Sequence, residues 1–161
     1  MTNRYLYLMR HGLARAKGLT DDFQKPLSAV GEKEVRAQME KFRQPDGIRP
    51  DCILCSTAVR AQQTVELLSE LFVGTPVFFR EALYLAPAFR VLALIHETDS
   101  LFRRIMIVGH NPGLEQLIPI LTTPEICPTL RPADCAGLQT DVPDWTRLKT
   151  GSATLAHFFQ V

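Results

Sequence analysis

Four short apolar runs, each followed by a stretch with helical spacing, predict a mostly parallel α/β sheet with helices on both faces. The runs are RYLYLMRH (4–11), DCILCS (51–56), PVFFR (76–80) and RRIMIVGH (103–110). The first and fourth have no polar face, as expected of strands covered on both sides. The chain has 161 residues, of which 46% are hydrophobic and 22% charged, enough for one sizeable core. A single domain spanning 1–161 is expected, built as a three-layer sandwich with a possible antiparallel pair of closing strands at the C-terminus.

The elements follow in order. After the first strand, 28–43 places Val30, Val35, Met39 and Phe42 on an approximate helical stripe, with Ser28 as a candidate cap and Gly31 blurring the start. PDGIRP breaks that helix before the second strand. A second helix is expected over 58–72, its core side Val59, Leu67, Leu68 and Leu71, closed by Gly74 and Pro76. The third strand leads into a helical pattern over 87–98. After the fourth strand, Asn111 is placed as a helix cap with Pro112 in the first turn, where its missing N–H costs nothing. Pro119 should bend or shorten that helix. The proline-rich 122–133 reads as irregular. AGLQTDV (136–142) and SATLAHFFQV (152–161) read as closing strands, with Trp145 in the intervening turn pinning them.

Composition narrows the function classes. A net charge of +1 lacks the basic excess of a nucleic-acid or membrane-surface binder. No window approaches the roughly 18 unbroken apolar residues of a membrane span, and the start lacks the order of a signal peptide. A cytosolic location is therefore expected, with neither nucleic acid nor membrane as partner. Cys52 and Cys55 form a C-x-x-C, but on a strand their thiols point to opposite faces and cannot share a metal or a disulfide. They are read as small buried apolar residues, and no metal is expected.

Ligands of parallel sheets bind outside the carboxyl ends of the strands. The first strand ends in Arg10-His11-Gly12 and the fourth in Gly109-His110, just ahead of a helix N-terminus that favours an anion. The second ends at Ser56, also a good cap. Arg60 follows in the first turn of the next helix, from which its side chain leans back over the strand end. The third ends in Arg80-Glu81. Two imidazoles, at least two guanidiniums and a carboxylate on one rim point to a phosphate site. His96 and His157 adjoin no strand carboxyl end and are read as structural.

LMRHG, STAVRAQQT, FREAL and VGHNPG occur here in the order found in the histidine phosphatase superfamily, which the chain resembles from about Tyr5 to Gly113. The short length and DDFQKPLSAVG make it more similar to the small SixA-type phosphohistidine phosphatases. The resemblance implies a phosphatase that works through a phosphohistidine enzyme intermediate. It implies His11 as nucleophile; Arg10, Arg60 and His110 as holders of the phosphoryl oxygens, with Asn111 beside them; and Glu81 as general acid. No metal or other cofactor is required, because preorganised donors can stabilise the spread charge. His110 would work best protonated, although the adjacent helix end opposes this. A salt bridge from Glu81 to Arg80 or Arg60 is the structural alternative to an acid role.

Leu13-Ala14-Arg15-Ala16 departs from the acidic or amide, hydroxyl and asparagine residues that many members carry after R-H-G, which weakens a mutase reading. Arg15 and Lys17 would add positive charge at the mouth. Between Glu81 and Ile105 there is room for one covering helix, so the pocket should stay open. An open pocket admits a phosphohistidine on a partner protein. The alternatives are a phosphatase of small phosphomonoesters or phosphoramidates, and a module that binds phosphate without turnover.

Overall fold

The computed structural model describes residues 3–16, 18 and 21–161. Six strands form one sheet: β1 (Arg4–Arg10), β2 (Cys52–Ser56), β3 (Val77–Arg80), β4 (Arg104–Gly109), β5 (Cys135–Thr140) and β6 (Ala153–Phe159). Their spatial order is β3-β2-β4-β1-β5-β6. The first four run parallel, whereas β5 pairs antiparallel with β1, and β6 antiparallel with β5. The expected α/β sandwich and its closing strand pair are both present. Four helices cover the sheet: α1 (Ala29–Phe42), α2 (Val59–Ser69), α3 (Ala88–His96) and α4 (Gly113–Leu121). Among the described residues no helix is long and apolar enough to cross a membrane.

β1 lies between β4 and β5, which is why its sequence lacks a polar face. Alternate side chains of each central strand enter opposite cores. Leu6, Leu8, Ile105 and Ile107 pack with Val91, Ile95, Leu114 and Leu117 of α3 and α4. Tyr7, Met9, Met106 and Val108 pack with Val35, Met39, Ala61 and Val65 of α1 and α2. Cys52 faces the first core and Cys55 the second, so the C-x-x-C is split by the sheet. Both thiols are free, and burial pushes each up to about 12, which leaves them inert.

Two helix stripes differ from expectation. Val30 is exposed; the inward positions of α1 are Gly31, Val35, Gln38, Met39 and Phe42. In α2, Leu67 is only partly buried, because Arg60, Ala61, Thr64, Val65 and Leu68 take the inner face; Leu71, expected on the same stripe, follows the end of the helix and is also partly buried. Two of these inner residues, Arg60 and Thr64, bond groups at the end of β1. Trp145 is buried, and its indole N–H donates to the Phe102 carbonyl at 2.7 Å, which ties the β5–β6 connection to the segment before β4. His96 meets the Leu148 carbonyl at 2.8 Å, and His157 stacks on Phe159. Both histidines lie away from the carboxyl edge, in structural roles.

Ser28 caps α1 as expected, accepting the Gly31 N–H at 3.0 Å. Its hydroxyl and its backbone N–H also both donate to the Leu13 carbonyl, at 2.9 and 2.8 Å. The first turn of α1 thus clamps the segment that follows His11. A Cβ at Gly31 would sit 2.1 Å from that same carbonyl oxygen. Gly-to-Ala inside a helix ordinarily stabilises by about 1 kcal/mol. Here Gly31→Ala should instead destabilise by roughly 1–3 kcal/mol through overpacking, as read from urea unfolding midpoints. A stabilised variant would show that the clamp is loose.

Candidate active site

The four parallel strands end at one edge of the sheet. Arg10 pairs in register with Gly109, so His11 and His110 leave adjacent strands at the same level. The His11 backbone N–H donates to the Gly109 carbonyl at 3.1 Å, which carries the ladder one residue further. The next strand over, β2, ends at Ser56, and α2 starts three residues later. Arg60, in the first turn of α2, lays its guanidinium across these ends, and only 4% of the residue remains exposed.

The bonds around Arg60 decide the protonation of both rings. Its Nε–H donates to His11 Nε2 at 3.1 Å, and its Nη2 lies 3.3 Å from His110 Nδ1. Guanidinium nitrogens only donate, so both imidazole nitrogens must be the unprotonated ones. The proton of His11 therefore sits on Nδ1, which donates to the Gly12 carbonyl at 2.7 Å. The proton of His110 sits on Nε2, which donates to Ser56 Oγ at 2.7 Å. The rings lie 5.0 Å apart, centre to centre. Burial lowers His11 to about 4, with Arg60 and Arg10 adding to the effect against the opposing Gly12 bond. Burial, together with His11 and Arg60, lowers His110 to about 3. In the free site the balance for His110 thus falls to the neutral ring rather than to the protonated one that phosphate binding favours.

These residues bound an open cleft of about 380 Å³. Arg10 reaches it half-buried, bonded through Nη1 to the Leu130 carbonyl at 3.1 Å; its Nε is buried without a partner. Asn111 and Arg15 also line the cleft, whereas Lys17 lies outside the described residues. The two non-glycine residues with left-handed backbone among those described, Leu85 (φ 47°) and Ala133 (φ 66°), both border this region. Leu85 lines the cleft, and the Ala133 N–H bonds the carbonyls of Arg10 and His11. Such strain gathers where the surrounding structure is built around a site.

Three expectations need correction. Asn111 does not cap α4, whose cap position is Pro112, without a side-chain bond. Its amide donates instead to Glu115 and to the Leu130 carbonyl, so it braces the 130 loop and leaves no N–H for a ligand. Ser56 does not cap α2 either; Ala58 holds that position, and Ser56 Oγ accepts the Ala58 N–H while holding His110. Glu81 is exposed, starts a 3₁₀ turn after β3 and does not line the cleft. From the same connection Tyr84 and Leu85 reach the site instead. Nor does Glu81 form the alternative salt bridge, since Arg60 pairs with Asp22 and Arg80 bonds the Phe79 carbonyl and stacks on Phe78.

Sequence reasoning missed Asp22, Lys25 and Tyr84. Asp22 accepts from Arg60 Nη2 at 3.0 Å and from the Tyr84 hydroxyl at 2.7 Å, and the Tyr84 ring stands edge-on to His110. The usable signal was position: an acidic pair, Asp21-Asp22, in the connection that follows the first strand on the ligand-binding side of the sheet.

Comparison with known proteins agrees with this geometry. Residues 6–84 match the family model of the histidine phosphatase superfamily (branch 1). An uncharacterized protein of Mycobacterium tuberculosis is 28% identical over 122 residues, 71% of this chain and 70% of that protein. A structure provisionally described as the phosphohistidine phosphatase SixA from Nakamurella multipartitia superposes with a TM-score of 0.85 at 22% identity, over 99% of this chain and 97% of that one. The protein histidine phosphatase SixA complexed with tungstate superposes at 0.79, with 21% identity, over 97% and 96%. Over residues 6–84 the chain matches the histidine phosphatase superfamily and over nearly its whole length it shares the fold of the SixA structures, which supports a hydrolase of the phosphatase type.

The neutral, buried rings have a consequence for stability. In the unfolded chain each titrates near 6.5, whereas the native rings refuse a proton until about 4 and about 3. The unfolded state therefore binds more protons, and stability falls as pH drops through 6.5. Between pH 7 and 5 each ring should cost roughly 2 kcal/mol. In phosphate-free urea titrations the His11→Asn/His110→Asn double variant should lose most of that slope. An unchanged slope would mean that the rings are not buried neutral.

Proposed function

We propose that the protein removes phosphate from phosphohistidine on a partner protein, through a covalent phosphohistidine at His11 and without a metal ion. The observation that carries this reading is the unprotonated Nε2 of His11, with Nδ1–H held on the Gly12 carbonyl; the Arg60 Nε–H that donates to Nε2 at 3.1 Å turns to the phosphoryl oxygens when Nε2 attacks. A neutral ring oriented in this way is a nucleophile at neutral pH. In the first step Nε2 forms a bond to phosphorus while the bond to the substrate imidazole breaks, and the leaving ring takes a proton from solvent. In the second, water attacks the phosphorus, freeing inorganic phosphate and restoring His11.

Arg10 and Arg60, both lining the cleft, hold the phosphoryl oxygens with charged N–H groups. A bound dianion would draw a proton onto His110, turning its Nδ1 into a further donor. These cations supply the charge stabilisation that a metal would otherwise give. Tungstate, the ligand of one structural neighbour, is a tetrahedral oxyanion like phosphate, which supports an oxyanion site here.

The position of Glu81 favours an imidazole leaving group. An alkoxide must be protonated as it departs, and the carboxylate carried by β3 does not line the cleft. An imidazole ring is basic enough to take its proton from solvent, without a carboxylic acid placed at the cleft. The cleft is open, so a phosphorylated side chain of another protein can reach it, which fits a cytosolic phosphorelay or phosphotransfer partner.

The test is acid-quenched labelling with a radiolabelled phosphodonor. Wild type should carry label, and His11→Ala none; an unlabelled wild type would point to a binder without turnover. A phosphohistidine peptide should be turned over well ahead of an aryl phosphate, and the reverse preference would favour small phosphomonoesters. Arg60→Ala should lower kcat/KM by about 10²–10³, measured on the same peptide.

A further inference from the structure

We propose that Asp22 is an internal anion: it occupies Arg60 in the free protein and competes with the phosphoryl group for the same N–H donors, and so sets how readily phosphate leaves. This rests on reading the cleft as a phosphate site. A guanidinium has five N–H groups. Here Nε points at His11, Nη1 donates to the Asp22 carbonyl at 2.6 Å, and Nη2 serves both the Asp22 carboxylate at 3.0 Å and His110 at 3.3 Å. The protein has therefore spent most of this cation before any ligand arrives. A phosphoryl group seated between the two imidazoles needs the same donors, and its charge repels the carboxylate that holds them.

Two features suit Asp22 to yielding. Its side chain is 47% exposed, against 5% for Arg60, so it can swing aside without opening a hole in the core. Other partners already hold it: the Tyr84 hydroxyl at 2.7 Å and Lys25 Nζ at 3.4 Å. A carboxylate displaced from Arg60 stays hydrogen-bonded and paired. The bond from Tyr84, with those from Arg60 and Lys25, lowers Asp22 to about 2 against the opposing cost of burial. It is thus charged wherever phosphate is a dianion, and the contest is between charges rather than a proton switch. In the free state the arrangement spares Arg60 the cost of a buried cation without a counter-ion. In the product state it restores that counter-ion as phosphate leaves.

The experiment is calorimetric titration of the full chain with inorganic phosphate in wild type, Asp22→Asn and Asp22→Ala. Asparagine keeps the shape and can still accept from Tyr84, but it removes the charge; alanine removes both. Phosphate should bind roughly tenfold tighter to each variant, and product inhibition should strengthen by the same factor. Binding equal to or weaker than wild type in the variants would overturn the proposal and make Asp22 a brace that merely orients Arg60. If circular dichroism shows that the alanine variant is unfolded, the asparagine variant decides. Absence of phosphate binding in wild type and variants alike would instead sink the phosphate-site reading, and this inference with it.

Discussion

The hydrogen bond from the Arg60 guanidinium to His11 Nε2 constrains everything around it. An arginine cannot accept, so the contact leaves the imidazole one tautomer and opposes its protonation. The ring can then place its proton only on Nδ1, where the Gly12 carbonyl receives it. The same turn of α2 grips the strand end a second time. Thr64 Oγ1 accepts the Gly12 N–H at 3.1 Å and donates to the Arg60 carbonyl at 2.8 Å. Residues four apart on one helix face thus hold the ring and the peptide that follows it. This is why the face of α2 nearest the strand ends is polar.

A buried cation in such a position is tolerable only with a counter-ion, and Asp22 supplies one from the far side of the cleft. Other close approaches complete the frame. The Leu13 carbonyl is held by Ser28 and passes against Gly31, and the Arg10 and His11 carbonyls share the Ala133 N–H. At the head of α4, a Cβ on Gly113 would lie 1.9 Å from the Ala86 carbonyl oxygen, so the segments before α3 and α4 meet backbone to backbone. The cleft is therefore walled by connections pinned through their peptide groups, while Arg10, His11, His110 and Arg60 project from strand ends and a helix. That is the geometry expected of a site whose groups are positioned before the ligand arrives.

Much of this was legible in particular residues. The unbroken apolar run before Arg10-His11 announced a central strand, and the run before Gly109-His110 announced its neighbour. The split of Cys52 from Cys55 followed from strand alternation alone. Asn111 was misread because Asn-Pro before an apolar run looks like a cap, yet the Leu130 carbonyl and Glu115, remote or one turn on, take its amide. Glu81 was placed with the site because it follows a strand at the ligand-binding edge. Which residues of the connection after β3 turn toward the cleft, Leu85 and Tyr84 rather than Glu81, depends on how that connection packs, and no local pattern carries that information.

The sequence by itself determined the elements, their mostly parallel direction and the identity of the chemical groups at the strand ends, because periodicity, capping and strand polarity are local properties of the chain. The order β3-β2-β4-β1 was decided only in three dimensions, and with it the meeting of His11 with His110 and the closing of Asp22 on Arg60. The physical reason is that these contacts join residues 38 to 50 positions apart or more. Their energies depend on burial and mutual distance, quantities that exist only once the two cores have closed around the sheet.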